Sequence, residues 1–360
     1  MKTKALKILF FILILSPFQI GYSQNQQNGA KWSTEKSKTW YAKQGWVVGC
    51  NYITSNAVNQ LEMWQKETFD SKTIDRELGW AKELGFNAMR VYLNSLVWQA
   101  DADGFKKRIN EYLAISSKYG IKTCFVFFDD CWNPEAKIGK QPEAKTGVHN
   151  SGWVHDPIVS KRADTTLLYK EMELYVKDIL NTFKNDDRVL MWDLYNEPGN
   201  TNQLNKSLPL LKKVFQWARE INPSQPLTSG VWRLDFYELN KFQLENSDVI
   251  TYHCYLNAER HQDWIYMMNA YGRPVICTEW MGRRFESTFE KVMPMLKNEN
   301  IGAFSWGFVA GKTNTIFAWD DPRPDGKEPK VWFHDILRID GTPYDSKEIE
   351  TIKKLTLTNQ

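Results

Sequence analysis

Residues 188–198 read RVLMWDLYNEP and residues 274–280 read PVICTEW. Both runs are almost continuously apolar instead of alternating, the pattern of strands buried on both faces in a parallel sheet. Each run carries an acid one residue before its end, Glu197 in the first and Glu279 in the second, so two carboxylates stand where two buried strands stop. Six more runs of this kind punctuate the chain: Trp46–Tyr52, Phe86–Leu93, Ile121–Asp130, Pro226–Trp232, Val249–Tyr255 and Ile301–Phe308.

Helical spacing separates the runs. Ile74, Leu78 and Ala81 form one apolar stripe, Leu168, Met172, Tyr175, Ile179 and Phe183 a second, Leu211, Phe215, Ala218 and Ile221 a third, and Phe285, Phe289, Val292 and Leu296 a fourth. Several stripes pass into the next strand through Gly or Asn-Pro turns such as ELGFN and INPSQP, as left-handed helix caps require. Strand then helix, eight times, predicts an α/β chain folded as a (β/α)8 TIM barrel, a single domain over residues 45–360 preceded by a lead-in at 24–44. A doubly wound open sheet is the competing architecture, but no GxGxxG follows the first strand. Residues 131–163 after strand three and 309–337 after strand eight are long loops on the face where barrel sites are built, and they carry Trp132, Trp153, Trp319 and Trp332.

The N-terminus reads differently. Lys2, Lys4 and Lys7 precede an apolar run from Ile8 to Leu15, with Gly21 and Ser23 as small residues before Gln24. This is the pattern of a secretory signal peptide over residues 1–23, cleaved near Ser23, and it predicts an exported protein, periplasmic or secreted. The run falls short of the roughly 20 apolar residues of a bilayer span. Its three Lys account for the whole formal net charge of +3. A mature chain of zero net charge argues against nucleic acid, a membrane surface or a polyanion as partner. The 16 Trp, 15 Tyr and 19 Phe suggest instead an uncharged ligand held by aromatic faces. The five Cys form no CxxC pair and four sit inside apolar runs, which predicts buried free thiols, Cys124 with Cys131 being the pair least easily excluded.

Two facing carboxylates at one barrel mouth can divide the roles of acid and nucleophile, because environment pushes their proton affinities apart. In this setting Asn196-Glu197-Pro198 at strand four, His253-Cys254-Tyr255 at strand six, Glu279 at strand seven and Trp306 at strand eight resemble the retaining glycoside hydrolases of clan A, and most closely glycoside hydrolase family 5. The resemblance spans all eight strands. It implies Glu197 as acid/base, Glu279 as nucleophile, Asn196 on the sugar 2-hydroxyl, Arg90 supporting Glu279, His253 and Tyr255 orienting the pair, and Trp306 as a sugar platform. It departs from the family near the end of strand three, where a His is usual and this chain has Asp129, Asp130 and Trp132. Either Asp could bind sugar hydroxyls there, and His149 from the following loop could restore an imidazole.

The wording of the loops, GCNY with NQLEMWQ, FDDCW with GVHNSGWV, and WFHD with DGTPY, is similar to subfamily 18 of that family, a branch containing β-mannosidases that act on mannosyl-β-1,4-N-acetylglucosamine units. Asn51, Glu62, Trp64, Trp232 and Arg283 are its candidate specificity determinants. The resemblance thus implies an exo-acting β-mannosidase with an oligosaccharide or glycan substrate. An endo-β-1,4-glucanase, mannanase or xylanase is the nearest alternative, and an inactive carbohydrate-binding barrel one of another class. No HxH or HExxH spacing is present, so no metal and no cofactor is expected.

Overall fold

The computed structural model describes residues 29–357, so the signal-peptide reading of residues 1–23 lies outside the described residues. Eight parallel strands form one sheet in the order β5-β4-β3-β2-β1-β8-β7-β6. They are β1 (Val48–Asn51), β2 (Ala88–Tyr92), β3 (Lys122–Asp129), β4 (Val189–Asn196), β5 (Leu227–Thr228), β6 (Ile250–His253), β7 (Val275–Trp280) and β8 (Gly302–Ser305). Each lies within one of the eight apolar runs. Between β5 and β6 there is no ladder, but a parallel bridge from Val231 to Tyr252 closes the ring, with His253 N–H donating to Val231 O at 2.9 Å. The architecture is a (β/α)8 barrel.

Helices α1 (Thr34–Ala42), α2 (Gln60–Trp64), α3 (Ser71–Glu83), α4 (Ser95–Ala100), α5 (Ala102–Lys118), α6 (Thr165–Phe183), α7 (Leu208–Ile221), α8 (Tyr237–Asn246), α9 (Ala258–Asn269), α10 (Met293–Asn298) and α11 (Ser346–Leu357) surround the sheet. The first three predicted stripes lie on α3, α6 and α7 and face the barrel. The turns behave as their residues demand: Gly85 after α3 and Asn222 after α7 take φ of 73° and 53°. The fourth stripe is corrected. Phe285 sits in a short 3-10 turn, Glu286 turns left-handed at φ 57°, and the helix starts only at Met293. Pro294 explains this, because inside a longer helix it would lack the N–H for the ladder, whereas it is tolerated in the first turn.

The barrel interior is layered by the period-two alternation of its strands. Val47, Ala88, Cys124, Met191, Val249, Ile276 and Phe304 form an apolar bottom layer, which Trp40 and Tyr41 of α1 cover. β1 reaches its neighbour closely at Gly49, where a Cβ would meet Ala88 O at 1.6 Å. One step up on the same faces stand Arg90, Asp193, Thr228, Thr251 and Thr278, all 0–1% exposed. The apolar floor and the polar storey above it together aim the last inward-facing side chains into the mouth.

Candidate active site

Register fixes who meets whom at the mouth. Asp129 pairs with Asn196 across β3 and β4, and His253 with Glu279 across β6 and β7. Glu197 follows β4 at φ 42°, a left-handed turn that a non-glycine residue adopts only where its surroundings hold it. A carboxylate oxygen of Glu197, one of Glu279 and a ring nitrogen of His253 all lie within 4.8 Å of one another.

Glu279 is surrounded by donors. Its Oε1 accepts from Arg90 Nη1 at 2.8 Å and from Tyr92 OH at 2.9 Å, and its Oε2 accepts from Tyr255 OH at 2.9 Å. Arg90 is fully buried and fixed from every side: it also donates to Asp193 Oδ2 at 2.8 Å, to Asn51 Oδ1 at 2.7 Å and to Asn196 Oδ1 at 2.7 Å. Such charge-assisted bonds favour a negative carboxylate and hold its plane.

The direct hydrogen-bond partners of Glu197 are neutral groups. Asn200 Nδ2 donates to its Oε2 at 2.5 Å, the Cys131 thiol lies 3.4 Å from the same oxygen, and His253 Nδ1 is 2.8 Å from Oε1. Burial pushes the Glu197 pKa up, a shift its hydrogen bonds only partly oppose. Burial also lowers that of His253 to about 4, against the pull of Glu279, so the imidazole is neutral near pH 7. A buried acid beside a neutral His is disposed to keep its proton.

The pair opens into a cleft of about 810 Å³ lined by Cys131, Trp132, His149, Trp153, Asn196, Trp232, Tyr255, Trp306 and Trp319, among others. That volume lies in the range of small-molecule sites. The two long loops brace each other along one side. Asn150 N–H donates to Thr313 O at 2.7 Å, Arg323 N–H to Gly147 O at 2.9 Å, and His149 Nδ1 to Phe317 O at 2.8 Å. Trp132 is 38% exposed at the rim with φ 69°, and Trp306 packs on Trp153 at 5.6 Å between centroids.

The structure therefore gathers Glu197, Glu279, Asn196, His253, Tyr255, Trp306, Trp132, His149 and Trp232 around one cleft, with Arg90 beneath it. Three expected ligand-binding residues are elsewhere. Asp129, 1% exposed, accepts from Asn196 Nδ2 at 2.9 Å, Trp153 Nε1 at 2.7 Å and the Cys131 N–H at 3.0 Å, so its oxygens brace the site from behind. Burial pushes its pKa up to about 8. Asp130 is fully buried on Arg162, Tyr195, Ser207 and the Gly199 N–H, where it anchors the turn after Glu197. Trp64 is core, stacked on Phe69 with Nε1 donating to Tyr92 O at 2.7 Å. Glu62 and Arg283 are likewise held in place, on Val58 N and Lys312 in the first case and on Glu348 in the second.

Sequence reasoning missed Tyr92, Asn200 and the placement of Cys131. Asn200 carried a signal, lying one helical-turn distance after Glu197; the other two depend on register. All five cysteines are unpaired and buried. The Glu197, His253 and Glu279 donor set has the composition of a metal site, but the Arg90 guanidinium 2.8 Å from Glu279 already supplies the positive charge a cation would bring.

Comparison with known proteins rests on structure. No family model and no curated protein matches the chain. The fold is similar to the crystal structure of a subfamily 18 enzyme of glycoside hydrolase family 5 from Streptomyces cattleya in complex with mannosyl-β-1,4-N-acetylglucosamine, with TM-score 0.60, 12% identity, and coverage of 87% of this chain and 81% of that one. It is also similar to an exo-β-1,4-mannosidase from Opitutaceae bacterium strain TAV5, at TM-score 0.60 and 16% identity over 86% of this chain and 59% of that one. An endo-β-1,4-mannanase from Thermotoga petrophila matches at TM-score 0.55 and 15% identity over 88% and 77%. At these identities the likeness is one of fold.

Proposed function

We propose that the protein is a retaining β-glycosidase of the family 5 type that releases mannose from the end of mannosyl-β-1,4-N-acetylglucosamine. The observation that carries this reading is the pair Glu197 and Glu279, with oxygens within 4.8 Å of each other and opposite surroundings. Retaining enzymes hold their carboxyl groups about 5–5.5 Å apart and inverting ones about 6.5–9.5 Å. In the first step Glu279 attacks the anomeric carbon while Glu197 gives its proton to the departing oxygen. In the second, Glu197 takes a proton from water, whose oxygen displaces Glu279 and frees the sugar. In this reading Asn196, held by Arg90 and Asp129, is the partner of the 2-hydroxyl.

Support for the terminal, mannose-specific form comes from the two loops braced along one side of the cleft and from the ligand bound by the Streptomyces cattleya enzyme. Export belongs to the same reading and rests on the N-terminal pattern alone. The test is product analysis on aryl β-mannoside, β-glucoside and β-xyloside, on the mannosyl disaccharide and on glucan, xylan and mannan polymers, with and without a chelator. Free mannose from the disaccharide, unaffected by chelation, is expected. Faster cleavage of glucan, xylan or mannan polymers would overturn the exo reading, and loss of activity on chelation would overturn the metal-free one.

A further inference from the structure

The end of β3 offers Glu197 a partner that the two-carboxylate scheme leaves unused. Cys131 is two residues beyond β3 and 8% exposed, against 0–3% for the other four cysteines, and it lines the cleft. Its backbone N–H is tied to Asp129 Oδ1 at 3.0 Å, which fixes where the side chain starts. Its sulfur receives Nδ2 of Asn200 at 3.3 Å and Nδ2 of Asn196 at 3.5 Å, and lies 3.4 Å from Glu197 Oε2.

This arrangement decides the direction of the S–H bond. Two amide N–H groups occupy the acceptor side of the sulfur, and an amide donor has nothing to accept with. The single thiol proton is left to donate, and the Glu197 oxygen is within its reach. Burial and the neighbouring carboxylates Asp129, Glu197 and Glu279 push the Cys131 pKa well up, so it stays a thiol and a donor throughout the working range.

The geometry points to Cys131 as a positioning residue for the acid/base, holding Glu197 Oε2 together with Asn200 while His253 holds Oε1. The role in turnover rests on the glycosidase reading above; the hydrogen bond itself does not. Other groups facing Glu197 are His253 and Tyr255 from β6 and its end, Glu279 from β7, Arg90 from β2 and Asp129 from β3. All of these remain when the thiol is removed. A donor to the carboxylate favours its ionised form, so deleting the thiol makes Glu197 hold its proton to higher pH.

The test follows the Glu197 carboxyl directly by difference infrared titration, the Glu197 band being the one absent from Glu197→Gln. In Cys131→Ala the titration moves to higher pH. In Cys131→Ser, which keeps a donor on the same Cβ, it stays at or below that of the unaltered protein. Aryl β-mannoside hydrolysis then shows the alkaline limb of the pH profile shifting upward in Cys131→Ala, with kcat down on the order of tenfold from lost positioning, and Cys131→Ser restoring the limb. Equal titration in all three proteins overturns the positioning role whether or not any glycoside is cleaved. Shifted titration without hydrolysis of any glycoside overturns the glycosidase reading and leaves the Cys131 bond standing.

Discussion

The ends of β4 and β7 carry the same residue at the same mouth and treat it in opposite ways. At β7, Glu279 faces a buried arginine and two tyrosine hydroxyls. At β4, Glu197 faces an amide, a thiol and a neutral imidazole, and burial pushes its pKa up. The asymmetry comes from the strands that flank each acid. β7 lies next to β6, which supplies Tyr255 beyond its end, and Arg90 reaches Glu279 across the barrel interior from β2. β4 lies next to β3, whose own carboxylates are turned away into the Asn196, Trp153 and Arg162 bonds. Two opposite surroundings thus follow from neighbours, with no difference in the glutamates themselves.

The largest effect expected is at Glu279. Glu279→Gln keeps the shape and the aromatic walls but has no carboxylate to attack with, and turnover of an aryl β-mannoside should fall by roughly 10⁴-fold or more. A loss under tenfold would end the claim that the β7 end holds the nucleophile. Glu197→Ala should behave differently. Substrates with poor leaving groups should lose about 10²–10⁴-fold, the range supplied by general acid catalysis, and activated aryl glycosides much less in the first step. Added azide should then be captured as the β-azide, detected by product analysis. An α-azide would mean inversion and would break the paired assignment.

A finer test acts on the supports. Tyr255→Phe removes one donor to Glu279 Oε2 and leaves the Arg90 and Tyr92 bonds in place. A hydrogen bond to a charged group is worth about 1.5–3 kcal/mol, so kcat/KM should fall roughly tenfold to a hundredfold while the fold stays intact by circular dichroism. Unchanged kinetics would show that Arg90 and Tyr92 suffice.

The sequence discloses the barrel more fully than the site, for a physical reason. A strand buried on both faces must be apolar along its length, so eight runs mark eight strands whatever surrounds them. Helices fare less well, since Pro294 shortens α10 against its own apolar stripe. At the mouth, Glu197 and Glu279 are legible because an acid ending a buried run has few alternatives. Asp129 and Asp130 end such a run too, yet their oxygens are taken by Trp153, Arg162 and Ser207, donors 24 to 77 residues away whose approach only the folded chain sets. Trp64 reads as a candidate specificity determinant in the first loop and becomes core because α2 packs it against Phe105 and Tyr112. Cys131 is ambiguous in the same way: nothing in its sequence neighbourhood announces Glu197, which β4 delivers from 66 residues on.

The smallest effect tests whether burial, the cause assigned to the upward shift of Glu197, operates across the molecule. Burial must push an imidazole the other way, and it does so at all five histidines: His149, His155 and His253 to about 4, His261 to about 3, and His334 well below its usual value. His261 is the useful control, because on α9 it is fully buried with Nε2 against Tyr252 OH at 2.8 Å and touches neither carboxylate. Between pH about 3 and the ordinary histidine value of about 6.5, the unfolded chain binds a proton at this residue that the folded chain does not. Stability therefore rises with pH across that window and is lost as pH falls through it, by up to about 1.4 kcal/mol per pH unit for the one proton. Asp129, Asp156 and Asp335, pushed up to about 8, 7 and 6, act in the opposite sense, so the slope of the whole protein is a difference between the two sets. Comparing His261→Gln with the parent cancels those terms. Urea unfolding at pH 4.5, 5.5 and 6.5 should show the variant destabilised by its lost packing at every pH, with a pH slope smaller by close to one proton between pH 4.5 and 5.5 and by about half a proton near pH 6.5. Parallel curves would mean that His261 is protonated in the folded protein, and burial would no longer serve as the cause of the shift at Glu197.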